Sequence, residues 1–317
     1  MNIYLAPMEG ITSNIFRTSL HKHFGGVDKF FTPFITPSDK GVLGTKFMRE
    51  ILPENNRGQV LVPQILTNSA DGFITMCKTL EEYGYSEFNI NLGCPSGTVV
   101  SKGRGAGFLA HTDDLDRFLE SIFKSEYKIS VKTRIGMENP EEFYRLIEIY
   151  NKYPMTELIV HPRTRKDMYK NHPDTDMYKY AEENSKNKLC YNGDIFSPGD
   201  YEKFNEAFPD TDTVMIGRGA VIDPALPAII KNRGSVTPEE IKSFYTDVYE
   251  GYKEILSGSV PLMHKMKELL LYMVMLFENS EKAAKKIKKA KNIEVLNSAV
   301  EELFGVCNIN TDVKWKF

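Results

Sequence analysis

The sequence predicts an α/β protein, a (β/α)8 TIM barrel followed by an all-helical C-terminal segment, on three observations. Over about the first 230 residues, short β-branched or aromatic runs alternate with stretches of helical periodicity, the pattern of a parallel sheet built from βα units. Eight such units fit the roughly 250 residues this barrel occupies. After Gly234 the strand-like runs stop and only helical patterns follow. The division expected is a barrel over residues 1–235 and a helical domain over 236–317.

Taken in order, the expected strands are Ile3–Met8, Lys29–Thr36, Val60–Leu66, Glu87–Leu92, Ile129–Ile135, Glu157–Pro162, Lys188–Asn192 and Thr213–Ile216. Between them, Ser69–Tyr83, Thr112–Ser125, Pro140–Tyr153 and Ser197–Phe208 carry apolar residues at i, i+3 and i+4. Ser13, Asn68, Thr112, Asn139 and Ser197 are suitable N-caps, and Pro140 follows Asn139 at a first helical position. An open doubly wound sheet would carry Gly-x-Gly-x-x-Gly after its first strand, and Ala6-Pro7-Met8-Glu9-Gly10 is unlike it. The cluster Gly103-Arg104-Gly105-Ala106-Gly107 puts Phe108 at the third glycine position, and no Walker A sequence occurs. From Thr237-Pro238-Glu239-Glu240, a capping-box pattern, helices are expected over 238–257, 261–278, 280–290 and 292–304.

Composition narrows the class. A chain of 317 residues can bury a core without disulfides or a structural metal, and 22 Gly with 16 Pro exclude collagen-like sequence. Cys77, Cys94, Cys190 and Cys307 stand apart, with no Cys-x-x-Cys, which suits a reducing compartment and argues against a zinc ribbon or iron–sulfur site. No metal is expected. The N-terminus lacks the basic and long apolar regions of a signal peptide, and the longest apolar run, Leu269–Phe277, falls short of the ~20 residues of a membrane span. The expectation is a soluble, cytoplasmic chain with no membrane partner. A net charge of −3 gives no bulk attraction to nucleic acid, so any such contact needs a local patch. Glu281–Lys291 offers one, with six lysines against one glutamate: either a solvated helix face or a surface for phosphates.

In this barrel, reacting groups come from the C-terminal ends of the strands. Those ends carry Ala6-Pro7-Met8, Gln64, Asn91-Leu92-Gly93-Cys94-Pro95, Lys132 with Arg134, His161-Pro162-Arg163, Asn192-Gly193-Asp194 and Gly217-Arg218-Gly219. So many polar groups are costly without partners, at ~1–3 kcal/mol for each buried and unpaired group. Lys132, in an otherwise apolar run, needs either an anionic or carbonyl ligand or an internal carboxylate such as Asp194. Arg218 between two glycines suits a phosphate, or else a surface ion pair. His161 alone reads as a core histidine; with Arg163 on the same strand face it suits an anion or a flavin. Cys77 and Cys190 read as core, but Cys94 lies in a Gly/Pro loop on the catalytic face. With an ordinary thiol pKa of ~8.5 and no cation beside it in sequence, it suits a proton donor better than a nucleophile.

At these residues the chain resembles the tRNA-dihydrouridine synthase family. Leu5-Ala6-Pro7-Met8-Glu9-Gly10 is similar to the family's opening flavin segment, and Asn89-Ile90-Asn91-Leu92-Gly93-Cys94-Pro95-Ser96 to its signature around a catalytic cysteine. Val131-Lys132-Thr133-Arg134, His161-Pro162-Arg163-Thr164, Asn192-Gly193-Asp194-Ile195 and Met215-Ile216-Gly217-Arg218-Gly219 follow in the family's order. Pro162, Glu9 and Ser13 stand where the family more often has Gly, Ala and Asp.

The resemblance implies FMN over the barrel mouth, NADPH as its reductant, and a tRNA uridine reduced at C5–C6 to dihydrouridine; the chain is expected to be a monomer. Hydride would add at C6 and Cys94 would protonate C5. By the same resemblance Ala6, Pro7 and Met8 would contact the isoalloxazine, and Gln64 and Lys132 its polar edge. His161, Asn192, Gly193, Asp194, Gly217 and Arg218 would hold the ribityl chain and phosphate. Asn91, Arg163, Arg165 and Tyr169 would face the uracil, and the helical domain would recruit RNA. A ribosomal RNA substrate, another FMN barrel acting on a free pyrimidine (dihydroorotate-dehydrogenase-like), and a non-enzymatic RNA-binding barrel are the alternatives.

Overall fold

Parallel pairing runs from strand to strand around the whole sheet in a computed structural model of the protein, which describes residues 1–37, 43–310 and 313. The strands are β1 (Asn2–Leu5), β2 (Lys29–Phe31), β3 (Leu61–Val62), β4 (Gln64–Ile65), β5 (Glu87–Leu92), β6 (Lys128–Gly136), β7 (Leu158–Thr164), β8 (Leu189–Tyr191) and β9 (Thr213–Ile216). Their order is β3-β2-β1-β9-β8-β7-β6-β5-β4. The third of the eight expected strands is thus two segments, because Pro63 has no N–H for the ladder and divides the run. β3 pairs with β2 and β4 with β5, so the sheet closes through Pro63, and this is the barrel the alternation predicts.

The first helices are α1 (Asn14–His23), α2 (Thr45–Ile51), α3 (Ala70–Glu81), α4 (Gly97–Val100), α5 (Thr112–Ile122), α6 (Glu142–Tyr150) and α7 (Thr175–Asn184). Then come α8 (Pro198–Ala207), α9 (Arg218–Ile222), α10 (Leu226–Ile230), α11 (Pro238–Ile255), α12 (Ser259–Met273), α13 (Glu281–Lys289) and α14 (Ile293–Val306). Ser197 and Thr237 cap α8 and α11 through full capping boxes, as their patterns predict. Three caps differ. Ser69, not Asn68, caps α3. Thr112 lies inside α5. Asn139 is not a cap, because the Glu142 carboxylate takes the N–H groups of Met137, Glu138 and Asn139 and delays α6. Ser13 precedes α1, yet its hydroxyl bonds Tyr252 of α11 instead of the helix end.

Alternation decides what fills the barrel. Tyr4, Ala6, Phe31, Val62, Ile159, Cys190 and Met215 point inward and form a small apolar plug, while the opposite faces pack on the helices. Below the plug, Lys29 binds Glu87 at 2.9 Å and Glu157 at 3.2 Å, and Tyr4 donates to Glu157. Above it, the inward positions turn polar, which builds the floor of a cavity.

Of the four C-terminal helices, α11 and α12 pack on the barrel and α13 and α14 pack on them. Phe244 of α11 meets Phe16 and Phe24 around α1, His23 bonds Asp247 at 2.7 Å, and Lys265 of α12 donates to the Gly10 carbonyl. Their apolar residues join the barrel's core in one continuous cluster. Among the described residues no helix is long and apolar enough to cross a membrane.

Candidate active site

At the C-terminal mouth of the barrel, the strand ends enclose a cavity of about 390 Å³. Its floor begins with Ala6, Pro7 and Met8, directly after β1. Gly217 closes in beside them, since a Cβ there would stand 3.3 Å from the Ala6 Cβ and 3.6 Å from the Met8 sulfur. Small residues and backbone therefore give a flat apolar wall.

The polar side is a connected chain of amides. Ser130 accepts from Asn89 at 2.9 Å, Asn89 accepts from Gln64 at 2.7 Å, and Gln64 accepts from Asn91 at 2.7 Å. The Asn91 oxygen then takes the N–H of Gly93 at 3.0 Å and of Cys94 at 2.9 Å. This short-range bond pattern folds the Gly93-Cys94 turn back onto the strand. Asn91 lines the cavity, and its amide is engaged in holding the cysteine loop.

Cys94 stands on that turn in the cavity wall. Burial pushes its thiol above the ordinary value, against smaller opposing effects of the Ser96 N–H and the Arg134 charge. The thiol stays protonated at neutral pH.

Lys132 lies beside Asn91 in the β5–β6 register, and its ammonium is pushed down to about 8 by burial and then by the Arg134 charge. The expected alternative, an ion pair with Asp194, is overturned: Asp194 is bound by Arg163 and Arg218. His161 donates from Nδ1 to the Asn192 carbonyl. Burial, then the charges of Arg134, Lys132 and Arg163, hold its imidazole far below the usual value and neutral. Its Nε2 is buried without a hydrogen-bond partner and is an acceptor at the cavity wall.

Gly193 and Asn192 line the cavity, as do Arg218 and Tyr169. Arg163, Arg165 and Asp194 do not. Arg163 is fully buried against Asp194, Asp194 turns its carboxylate to two arginines, and Arg165 lies outside the wall. Arg134, at the end of its strand beside Lys132, lines it too, as do Phe34, Glu268 and Tyr272, which the sequence did not single out. Arg134 was accessible to strand alternation, two residues from Lys132 on one face. Its guanidinium donates to Gly93 O at 3.0 Å, Thr164 O at 2.8 Å and Met168 O at 2.9 Å, joining the cysteine turn to the loop after β7. Glu268 and Tyr272 come from α12, and no local signal marks them.

The fold and site define a barrel oxidoreductase-type pocket: a flat apolar floor, a buried ammonium, an unpaired imidazole acceptor and a protonated thiol. These features fit a flavin, with the ring on small residues, a cation at its polar edge and hydroxyl donors for His161 Nε2. The family model for dihydrouridine synthase (Dus) matches residues 4–314. The chain therefore belongs to the dihydrouridine synthase family of FMN-dependent oxidoreductases. The tRNA-dihydrouridine(16) synthase of Shigella flexneri is 27% identical over 243 residues, 73% of this chain and 76% of that one. The probable tRNA-dihydrouridine synthase 2 of Bacillus subtilis (strain 168) is 28% identical over 258 residues, 79% and 78%. The barrel is shared more distantly by solved structures. TcOYE with pHBA superposes with TM-score 0.55 at 9% identity, covering 81% of this chain and 96% of that one. Histamine dehydrogenase from Rhizobium sp. 4-9 superposes with TM-score 0.52 at 11% identity, covering 77% and 46%.

Proposed function

We propose that the chain reduces the C5–C6 double bond of a uridine in tRNA to 5,6-dihydrouridine, with Cys94 as the proton donor to C5. The observation that carries this is a protonated thiol, fixed by the Asn91 turn, in the same cavity as a flavin-type wall. The relatives named for tRNA support the substrate class. Bound FMN, once reduced by NADPH, supplies the hydride for C6.

The chain's own residues do the rest. Ala6, Pro7, Met8 and Gly217 would form the surface that carries the ring, and Lys132 would place a cation at its polar edge. His161 would accept from the ribityl chain beside Asn192 and Gly193, and Arg218 would hold the phosphate. Asn91 and Tyr169 border the space left for the uracil. A base inside a folded RNA is out of reach, so it must swing out into the cavity, where stacking offsets part of the cost. Residues 236–317 act as the RNA-recruiting part, their lysine-rich α13 facing solvent.

Cys94→Ala tests the acid. A positioned acid contributes ~10²–10⁴-fold. The variant should keep its FMN and yellow colour while dihydrouridine formation falls by at least about a hundredfold; undiminished turnover excludes the assignment. Mapping dihydrouridine in RNA from cells lacking the protein tells tRNA from ribosomal RNA.

A further inference from the structure

We propose that the Asp194 carboxylate is a positioning group that acts through two arginines: it sets the guanidinium of Arg218 for the flavin phosphate and, through Arg163, ties down the loop that carries Tyr169. This rests on the FMN reading above.

The geometry is a carboxylate shared by two arginines, one on β7 and one at the start of α9, which follows β9. Asp194, after β8, accepts from Arg163 of β7 at 2.9 and 2.5 Å, one bond to each oxygen. The same Oδ1 accepts from Arg218, at the start of α9, at 2.6 Å. Arg163 has a side-chain exposure of 0%, Arg218 9% and Asp194 13%. Arg163 is held in a two-bond fork and has no surface, whereas Arg218 meets the carboxylate through one bond and reaches the cavity. Arg218 alone of the three lines the cavity. Its guanidinium lies over the rings of Tyr169, at 4.7 Å, and Phe196, at 5.2 Å. Such a fixed fork suits the oxygens of a phosphate, and its orientation depends on Asp194.

The second arm runs to the loop. Arg163 Nε donates to the Asn171 carbonyl at 2.6 Å, and Asp167 takes the N–H and hydroxyl of Thr164. Residues 163–171 are therefore anchored at both ends, with Tyr169 between them against Arg218. A carboxylate at position 194 thus links the wall that meets the phosphate to the wall that borders the uracil.

FMN and riboflavin differ only by the phosphate, so the ratio of their affinities isolates this contact. Apoprotein would be titrated with each flavin by fluorescence quenching, for wild type, Asp194→Asn and Asp194→Glu. Asp194→Glu keeps the charge, so it folds where Asp194→Asn, which removes the carboxylate shared by two arginines, would be weakened. Both variants should lose at least about tenfold of the FMN-over-riboflavin preference, with riboflavin affinity little changed. Trypsin should also cut faster after Lys166 or Lys170. A merely stabilising triad would lower the melting temperature and leave the ratio unmoved. A wild-type ratio and cleavage rate in both variants overturn the assignment alone. A wild-type apoprotein that does not prefer FMN overturns the cofactor reading on which it rests.

Discussion

Lys132 shows how one buried group ties charge to binding. Burial and the Arg134 charge place its ammonium at about 8, so it is mostly charged below that pH and mostly neutral above it. An anionic edge or phosphate binds the charged form. FMN affinity, followed by fluorescence titration from pH 6 to 9, should therefore fall as pH rises through about 8. Lys132→Met should weaken binding at pH 7 by about tenfold or more and remove that pH step. An unchanged pH step in the variant assigns the proton elsewhere. At this scale the sequence exposed the residues through their cost: Lys132 and His161 in apolar strands needed partners. It could not say which partners. Asp194 is nearer in sequence to Lys188 and Lys203 than to either arginine, and only the packing of β7, β8 and β9 sends it to Arg163 and Arg218.

Among the elements, α9 and α10 meet at a buried carboxyl. Asp223 accepts from the Ala225 N–H at 2.9 Å, and burial raises its pKa to about 6. An unfolded aspartate titrates near 3.9, so the native state binds the extra proton between those values. Native stability should therefore fall as pH rises from about 4 to 6 and stay lower above it. Asp223→Asn keeps the acceptor and loses the charge. Its gain over wild type in chemical denaturation should be near zero at pH 4 and level off above pH 6, with a ceiling of about 3 kcal/mol. A gain independent of pH shows that another group titrates. The elements themselves were largely legible, because period-2 and period-3.6 patterns are local: β5 and β9 match their expected spans residue for residue. Helix starts were less so. Glu142 reaches back over three N–H groups and outcompetes the Asn139 cap, a choice made by loop geometry.

The whole molecule joins the barrel and the four C-terminal helices more closely than two linked domains would need. Tyr272 and Glu268 of α12 line the cavity, and Phe244 fills a core site beside Phe16. Removing residues 238–317 should therefore cost FMN retention and solubility as well as RNA binding, so truncation cannot separate an RNA enzyme from a free-pyrimidine enzyme. Surface substitution can. Lys285, Lys288 and Lys289 are exposed on α13, while Lys282 and Lys286 approach Glu302. Changing the three exposed lysines to glutamate should leave bound FMN intact. It should weaken tRNA binding and flatten its salt dependence by about one unit of slope for each phosphate no longer neutralised. An unaltered slope makes α13 an ordinary solvated face.

By itself the sequence determined what local physics controls: eight strand positions, the barrel class, a polar ring of strand ends, the cysteine turn, and the change to helices after Gly234. Tertiary structure alone decided the Asp194 partners, the closure of the sheet through Pro63, and the entry of α12 into the cavity wall. The reason is range. Periodicity, caps and strand ends arise from neighbours a few residues apart. An ion pair or a wall is set by which distant surfaces bury each other, and burial is a property of the assembled molecule.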